Sequence, residues 1–187
     1  MNKRQLRDVF SNKRSQLKEP INGDLSIKAM DNLINSDWYK KSNNIFCFVS
    51  FRDEIQTKQL IEHMIKEGKT ISIPKIDTQV EKMFPFEIKS INDMQKGYYG
   101  IEEPKDKCTL VNGEKIDLIV TPGLAFDING YRLGYGKGYY DKFFSQYCKS
   151  GFKIGFAFDI QITDNVPHDE YDVKLDGIVT DKRIIYC

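Results

Sequence analysis

Gly130-Tyr131-Arg132-Leu133-Gly134-Tyr135-Gly136-Lys137-Gly138-Tyr139-Tyr140-Asp141 sets four glycines among basic and aromatic residues. Directly behind it, Tyr139, Tyr140, Phe143, Phe144, Tyr147 and Cys148 recur at helical spacing, and directly ahead Asp117 to Thr121 reads as a buried strand. A strand followed by a glycine-rich loop that opens a helix makes an anion site. The first N–H groups of a helix have no intrahelical partner and carry partial positive charge. Glycine lets that backbone approach a phosphate, and Arg132 and Lys137 add full charges, so the stretch predicts a bound polyphosphate. It matches neither common nucleotide loop. Lys137 is followed by Gly138 rather than Ser or Thr, and the third glycine comes one residue early for G-x-G-x-x-G.

Three further sets of residues carry chemistry. Asp141 falls in the first turn of the helix after the loop. There it either favours the helix dipole or, beside a triphosphate, helps hold Mg²⁺, which takes one or two carboxylates plus phosphate oxygens and water. Asp176, ahead of a later strand, is the candidate second carboxylate. Glu54 follows an apolar strand, Ile45 to Phe51, and falls at the strand end where α/β proteins bind ligands. Lys3 and Arg7, one helical turn apart, are placed to reach a phosphate held elsewhere. Lys13, Arg14 and Lys18 read instead as the solvated face of the same helix. The aromatic turn Gly97 to Ile101 is either core packing or a stacking platform. His63 and His168 lack metal-ligand spacing and read as surface residues. No nucleophile elbow or Ser/His/Asp pattern is present.

These residues need a scaffold. Leu6, Phe10 and Leu17 predict an amphipathic basic helix. Asp24 predicts the cap of a second, marked by Ile27, Met30, Ile34 and Trp38. Leu60, Ile61, Met64 and Ile65 give a third, closed by Gly68. Thr70 to Pro74 makes a right-handed parallel β-α-β unit with Ile45 to Phe51. Met83-Phe84-Pro85-Phe86 is a strand only at an edge or bulge. Asn129-Gly130 predicts a hairpin turn. Lys153 to Phe158, Leu175 to Thr180 and Arg183 to Tyr186 supply further strands. The pattern predicts a single α/β domain over residues 1–187, a three-layer α/β/α, Rossmann-like fold with a mainly parallel central sheet.

The 187 residues suffice for one self-contained core. A formal charge of +1 leaves no field to hold nucleic acid or membrane. Cys47, Cys108, Cys148 and Cys187 are far apart with no C-x-x-C, which suits buried thiols in a reducing compartment better than disulfides or zinc. No apolar run approaches a membrane span and no signal core opens the chain. The expectation is a cytoplasmic monomer.

Thr121-Pro122-Gly123-Leu124-Ala125-Phe126-Asp127, then Gly130, Arg132-Leu133-Gly134 and Gly136-Lys137-Gly138-Tyr139-Tyr140-Asp141, closely resembles the signature of the 5-formyltetrahydrofolate cyclo-ligase family. Lys3 to Arg7 resembles its basic amino-terminal motif, and Phe48-Val49-Ser50 with Asp53-Glu54-Ile55 its first-strand motif. Tyr99-Gly100-Ile101 with Pro104 resembles its central turn, and Val173 to Thr180 its closing strand. The resemblance implies ATP- and Mg²⁺-dependent closure of 5-formyltetrahydrofolate to 5,10-methenyltetrahydrofolate, with release of ADP and phosphate. It implies ATP contacts from Lys3, Arg4, Arg7 and the stretch Arg132, Leu133, Gly134, Tyr135, Gly136, Lys137, Gly138, Tyr139 and Tyr140. Lys137 and Arg132 would be the catalytic cations. Val49, Glu54, Tyr99 and Tyr135 to Tyr139 would face the folate, with Glu54 accepting from ring N–H groups. Asp141 and Asp176 would hold magnesium. Three positions depart from the family pattern: Tyr135 stands where some relatives have arginine, Glu102 replaces a frequent proline, and Tyr171 precedes Asp172 where many relatives have histidine.

Overall fold

The computed structural model of the protein describes residues 1–97 and 100–187. Tyr99, expected to stack on a planar ligand, lies outside the described residues. Helix α1 (Lys3–Ser15) begins with a reciprocal cap, in which the Asn2 side chain accepts from Gln5 N–H and the Gln5 side chain accepts from Asn2 N–H. Its buried positions are Leu6, Phe10 and Arg14, spaced i, i+4, i+8. The first two follow the expected stripe; the third place falls to an arginine.

Helix α2 (Ile21–Asn35) starts ahead of the predicted cap, with Pro20 at the N-cap and Asp24 inside the first turn. There Asp24 favours the helix dipole instead of capping it. The buried face is Asn22, Ser26, Ala29 and Leu33, whereas Ile27 is 45% exposed. Ser26 explains the turn of the helix: its hydroxyl donates to Asn22 O and accepts from Gln56 N–H. A short α3 (Asp37–Lys41), capped by Ser36, buries Trp38 and Tyr39.

Strand β1 (Asn44–Cys47) leads through a loop to α4 (Lys58–Lys66), which buries Leu60, Ile61 and Met64. Gly68, at φ +78°, ends that helix as expected. Strand β2 (Thr70–Asp77) returns parallel to β1. β3 (Lys82–Ile88) turns back antiparallel to it. β4 (Met94–Lys96) and β5 (Glu102–Pro104) form a separate ribbon. β6 (Thr109–Leu110) pairs with Phe86 and Glu87, and Val111 N–H just beyond it donates to Pro85 O at 2.8 Å, so Pro85 falls at the end of this short ladder, where its missing N–H costs least.

The second half is β7 (Leu118–Thr121), the hairpin β8 (Ala125–Asp127) and β9 (Arg132–Leu133), then α5 (Tyr139–Gln146). β10 (Phe152–Phe156), β11 (Ile162–Thr163), β12 (Gly177–Val179) and β13 (Ile184–Tyr186) complete it. Asp127 Oδ1 accepts the N–H groups of Asn129 and Tyr131 and so shapes the predicted Asn-Gly turn.

The result is a mixed α/β fold whose large sheet runs β13-β12-β10-β7-β1-β2-β3-β6. The strands from β12 to β2 are parallel, while β13, β3 and β6 join through antiparallel pairs. Period-two alternation fills both faces. Ile45, Cys47, Leu118 and Val120 pack with α2 and α4. Phe46 and Ile119 pack with Phe143 and Phe144 of α5. A third cluster of Leu6, Phe10, Leu124, Ala125, Leu133 and Val166 pins α1 to the β8–β9 hairpin. The chain runs outward one way from β1 to β2, then outward the other way from β7 through β10 to β12. The topological switch point is therefore between β1 and β7, and the crevice beyond their carboxyl ends is the expected ligand site.

Candidate active site

Phe48 and Val49 continue β1 into that crevice and are buried. The backbone then bends sharply, with Arg52 at φ +56°, a left-handed conformation that non-glycine residues seldom adopt. The bend brings Glu54 back on its own loop. Its Oε2 accepts from Phe51 N–H at 3.0 Å, and its Oε1 accepts the Tyr135 hydroxyl at 2.7 Å. Glu54 is 7% exposed. Burial pushes its carboxyl above the ordinary glutamate range, against the lowering pull of the Tyr135 hydrogen bond and the Arg14 charge.

Arg14 is the residue that pattern reading misassigned. Expected on a solvated face, it is 4% exposed and stands in the crevice. Its Nε and Nη2 donate to the two Asp53 oxygens at 3.2 and 3.1 Å, Nη2 donates to the Tyr135 hydroxyl at 2.8 Å, and Nη1 lies 4.0 Å from Glu54. Burial opposes the charge, but the bonds to Asp53 and Tyr135 outweigh it and raise the guanidinium above its usual value. The available signal was the Leu6–Phe10–Arg14 spacing, which carries the arginine onto the apolar face. Tyr135 thus contributes in two directions. Its side chain is 57% exposed overall, yet its hydroxyl is turned inward to Glu54 and Arg14. The cleft lined by Arg14, Glu54, Pro122 and Gln161 is open to solvent and too narrow to admit a water molecule.

The glycine loop lies alongside. Gly138, left-handed at φ +66°, is the N-cap of α5, and Gly136 is at φ +102°. A β-carbon at Gly136 would meet the Arg7 guanidinium at 3.4 Å. Arg7 also donates from Nε to Gly134 O at 2.9 Å, so α1 holds the loop from outside. Beneath the loop is Arg132, 8% exposed and in the region of the Tyr140 and Phe144 rings. Its Nη2 is 3.0 Å from Asp141 Oδ2, a charge contact without hydrogen-bond geometry. Its Nε has no hydrogen-bond partner, and neither does the buried Tyr140 hydroxyl. A buried guanidinium with open donors is costly unless an anion completes it. Burial accordingly pulls its pKa down, with Asp141 opposing.

The remaining candidates are distributed as follows. Leu133 is core, and Tyr139 and Tyr140 pack partly against the α5 cluster. Lys137 and Arg4 are exposed. Lys3 is paired with Asp169 at 2.9 Å and Asp172 at 2.7 Å, which ties α1 to the loop before β12. Asp141 Oδ1 accepts from Val173 N–H, three residues before Asp176. Asp176 itself stands at the amino-terminal start of β12, where Oδ2 accepts from Lys153 N–H at 2.7 Å. Asp117 does the same for Asn43 and Asn44 at the start of β7. Asp176 therefore caps a sheet edge, in addition to any role toward a metal. Among the described residues no three His, Cys, Asp or Glu side chains form a group that could hold a metal by themselves. Asp141, in the first turn of α5 beside the loop, offers hard carboxylate oxygens that suit Mg²⁺ with phosphate and water as its other ligands, whereas Asp176 stands at the amino-terminal end of the parallel strands, away from the carboxyl-end crevice. All four cysteines are free, Cys47 and Cys148 being buried. His63 is partly exposed beside Glu67, and His168 stacks on Tyr131. No helix among the described residues is long and apolar enough to cross a membrane.

Fold and site together define an open-sheet α/β enzyme class, with a glycine loop at a helix N-terminus set alongside a buried carboxylate at the switch point. A model of the 5-formyltetrahydrofolate cyclo-ligase family matches residues 1–181, and the chain belongs to that family. The probable 5-formyltetrahydrofolate cyclo-ligase of Schizosaccharomyces pombe is 32% identical over 99% of this chain and 98% of its own. The 5-formyltetrahydrofolate cyclo-ligase of Mus musculus is 31% identical over 82% of this chain and 81% of its own. Among solved structures, the 5,10-methenyltetrahydrofolate synthetase of Aquifex aeolicus superposes with TM-score 0.88 at 34% identity, covering 100% of this chain and 93% of that one. The synthetase from Mycoplasma pneumoniae, at TM-score 0.78 and 23% identity, shares the fold.

Proposed function

We propose that this enzyme closes 5-formyltetrahydrofolate to 5,10-methenyltetrahydrofolate at the expense of ATP, releasing ADP and phosphate. The observation that carries the nucleotide half is Arg132, a buried guanidinium with unmet donors under a glycine loop at a helix N-terminus. The folate half rests on Glu54, a buried carboxylate at the switch-point crevice. The three-layer, Rossmann-like reading of the fold belongs to the same proposal, with nucleotide and folate meeting across the crevice.

A formamide oxygen is a poor leaving group, so the chain must first help to convert it. The formyl oxygen attacks the γ-phosphorus, the bond to the β–γ bridging oxygen breaks, and ADP departs. The resulting iminium phosphate carries an electrophilic carbon. The N10 lone pair attacks that carbon, the C–O bond breaks, phosphate leaves, and N10 loses its proton. The work of the protein is positioning and charge stabilisation. The Gly134–Gly138 backbone and the start of α5 hold the phosphates. Arg132 from below and Lys137 from the exposed side stabilise charge on the transferring group. Lys3, Arg4 and Arg7 extend the cationic wall from α1. Glu54 and Val49 orient the pterin so that its formyl group faces the loop. Magnesium would be held by Asp141 with phosphate oxygens and water, and would neutralise triphosphate charge. The free cysteines suit a reducing, cytoplasmic setting. The proposed site draws on no second subunit, nucleic acid or membrane.

The test is formation of the methenyl absorbance by purified protein with 5-formyltetrahydrofolate, with and without ATP and Mg²⁺. Absorbance that grows only with both supports the proposal. No product with both present defeats it.

A further inference from the structure

The Tyr135 hydroxyl does two things at once in the narrow crevice. It donates to Glu54 Oε1 at 2.7 Å and accepts from Arg14 Nη2 at 2.8 Å. The two buried groups thus converge on one point, the carboxylate calling for a donor and the guanidinium for an acceptor. Arg14 is fixed there by its fork on Asp53, the residue next to Glu54, so the two charges are positioned by one loop. The ring that brings the hydroxyl in is exposed and is flanked by Gly134 and Gly136, where the backbone is least restrained. Withdrawing it leaves a buried acceptor and a buried donor side by side, both needing partners.

We propose that Glu54 and Arg14 together form a two-charge seat that reads a ligand edge carrying a donor and an acceptor side by side, and that the Tyr135 hydroxyl is the seat's stand-in in the free protein. On the folate reading above, on which this inference rests, the matching edge is the lactam of the 2-amino-4-oxo pterin: N3–H to Glu54 and the 4-oxo oxygen to Arg14. Arg14 is then a specificity-determining residue. A 4-amino pteridine carries the opposite pattern at this edge, presenting a donor to the guanidinium. A site built to bond one polar group rejects an analogue that leaves its buried groups unpaired.

Binding of 5-formyltetrahydrofolate and of its 4-amino-4-deoxy counterpart is measured by calorimetry on wild type, Arg14→Met and Arg14→Lys, each checked for cooperative melting. Wild type should prefer the 4-oxo ligand. Arg14→Met should shrink that preference about tenfold or more, the scale of one hydrogen bond to a charged group. Arg14→Lys, which keeps a donor, should fall between and serves if the methionine variant does not fold. Tyr135→Phe, with the stand-in hydroxyl removed, should lower the folate KM. A preference unchanged in both Arg14 variants, or a folate KM raised in Tyr135→Phe, overturns the inference while the folate reading stands. Absence of binding of either ligand to wild type overturns the folate reading itself.

Discussion

Changing Glu54 to Gln separates the proposed role of this residue from its contribution to the fold. The carboxylate accepts two hydrogen bonds, from Phe51 N–H and Tyr135 O–H, and lies 4.0 Å from Arg14. Glutamine offers one acceptor and one donor group, so one of the two bonds loses its acceptor and both lose the charge. Bonds to charged groups contribute about 1.5–3 kcal/mol each. Against this, an effective penalty of several kcal/mol for holding an ionised group in the interior disappears. The sign follows from the raised pKa. The folded protein favours the protonated carboxyl, a stabilisation complete below the unfolded value and lost as pH rises through the folded one. At neutral pH the ionised Glu54 therefore costs stability, and a neutral amide removes that cost. The two effects nearly cancel, so folding stability should change by no more than about 2 kcal/mol. Folate recognition has no such compensation. An amide N–H set against a pterin N–H should lower kcat/KM for the folate roughly 10- to 100-fold, the equivalent of one charged hydrogen bond. The ATP KM should stay in place. Initial rates of methenyl formation at varied folate, paired with thermal melts, read both quantities. Folate kcat/KM within twofold of wild type would refute the recognition role. Loss of cooperative melting would show that Glu54 holds the fold together instead.

Arg132→Met should lower the melting temperature of the free protein, because Asp141 loses its charge partner, and should abolish the further rise produced by saturating ATP. Lys137→Ala should reduce kcat at least tenfold with an unchanged melt, since the side chain is exposed and its proposed role is on the transferring phosphoryl group. Magnesium titrations of activity should shift upward for Asp141→Asn and stay in place for Asp176→Asn, whose carboxylate caps the amino-terminal end of the sheet. An unchanged titration in Asp141→Asn returns that residue to its structural bond with Val173 N–H, and a shift in Asp176→Asn assigns it to the metal. The acid limb of folate kcat/KM should lie above the ordinary glutamate range, because burial raises the Glu54 carboxyl and protonation removes the charge and one of the two acceptor oxygens that face the ligand N–H groups. Arg14→Met should move that limb higher still, since the Arg14 charge is one of the influences holding it down.

Local rules explain which elements were readable. Gly68, the Asn129-Gly130 turn and the parallel β1–α4–β2 unit follow from backbone sterics and handedness, which act within a few residues. The start of α2 was misread, and of its expected stripe Met30 and Ile34 pack against the core while Ile27 does not and Trp38 falls on α3, because tertiary contacts overrode part of the apolar pattern. Ser26 bonds Gln56 across the interface, and Ile27 is left outside. Arg14 was misread for a related reason. Long basic residues on a helix are ordinarily solvated, and only the bend at Arg52 delivers the Asp53 and Glu54 carboxylates that make its burial tolerable.

By itself the sequence determined the composition of the site: the glycines, the cations and the carboxylates, and the order in which strands and helices present them. Those are properties of residue type and spacing. Only the tertiary structure decided which charges meet. It brought Arg14 to Glu54 across a sequence gap of 40 residues, turned the Tyr135 hydroxyl in between them, left Arg132 with open donors beneath the loop, and tied Asp176 to a strand edge. Such pairings depend on where separate elements dock, and docking is settled by the packing of two sheet faces, which no single stretch of sequence encodes.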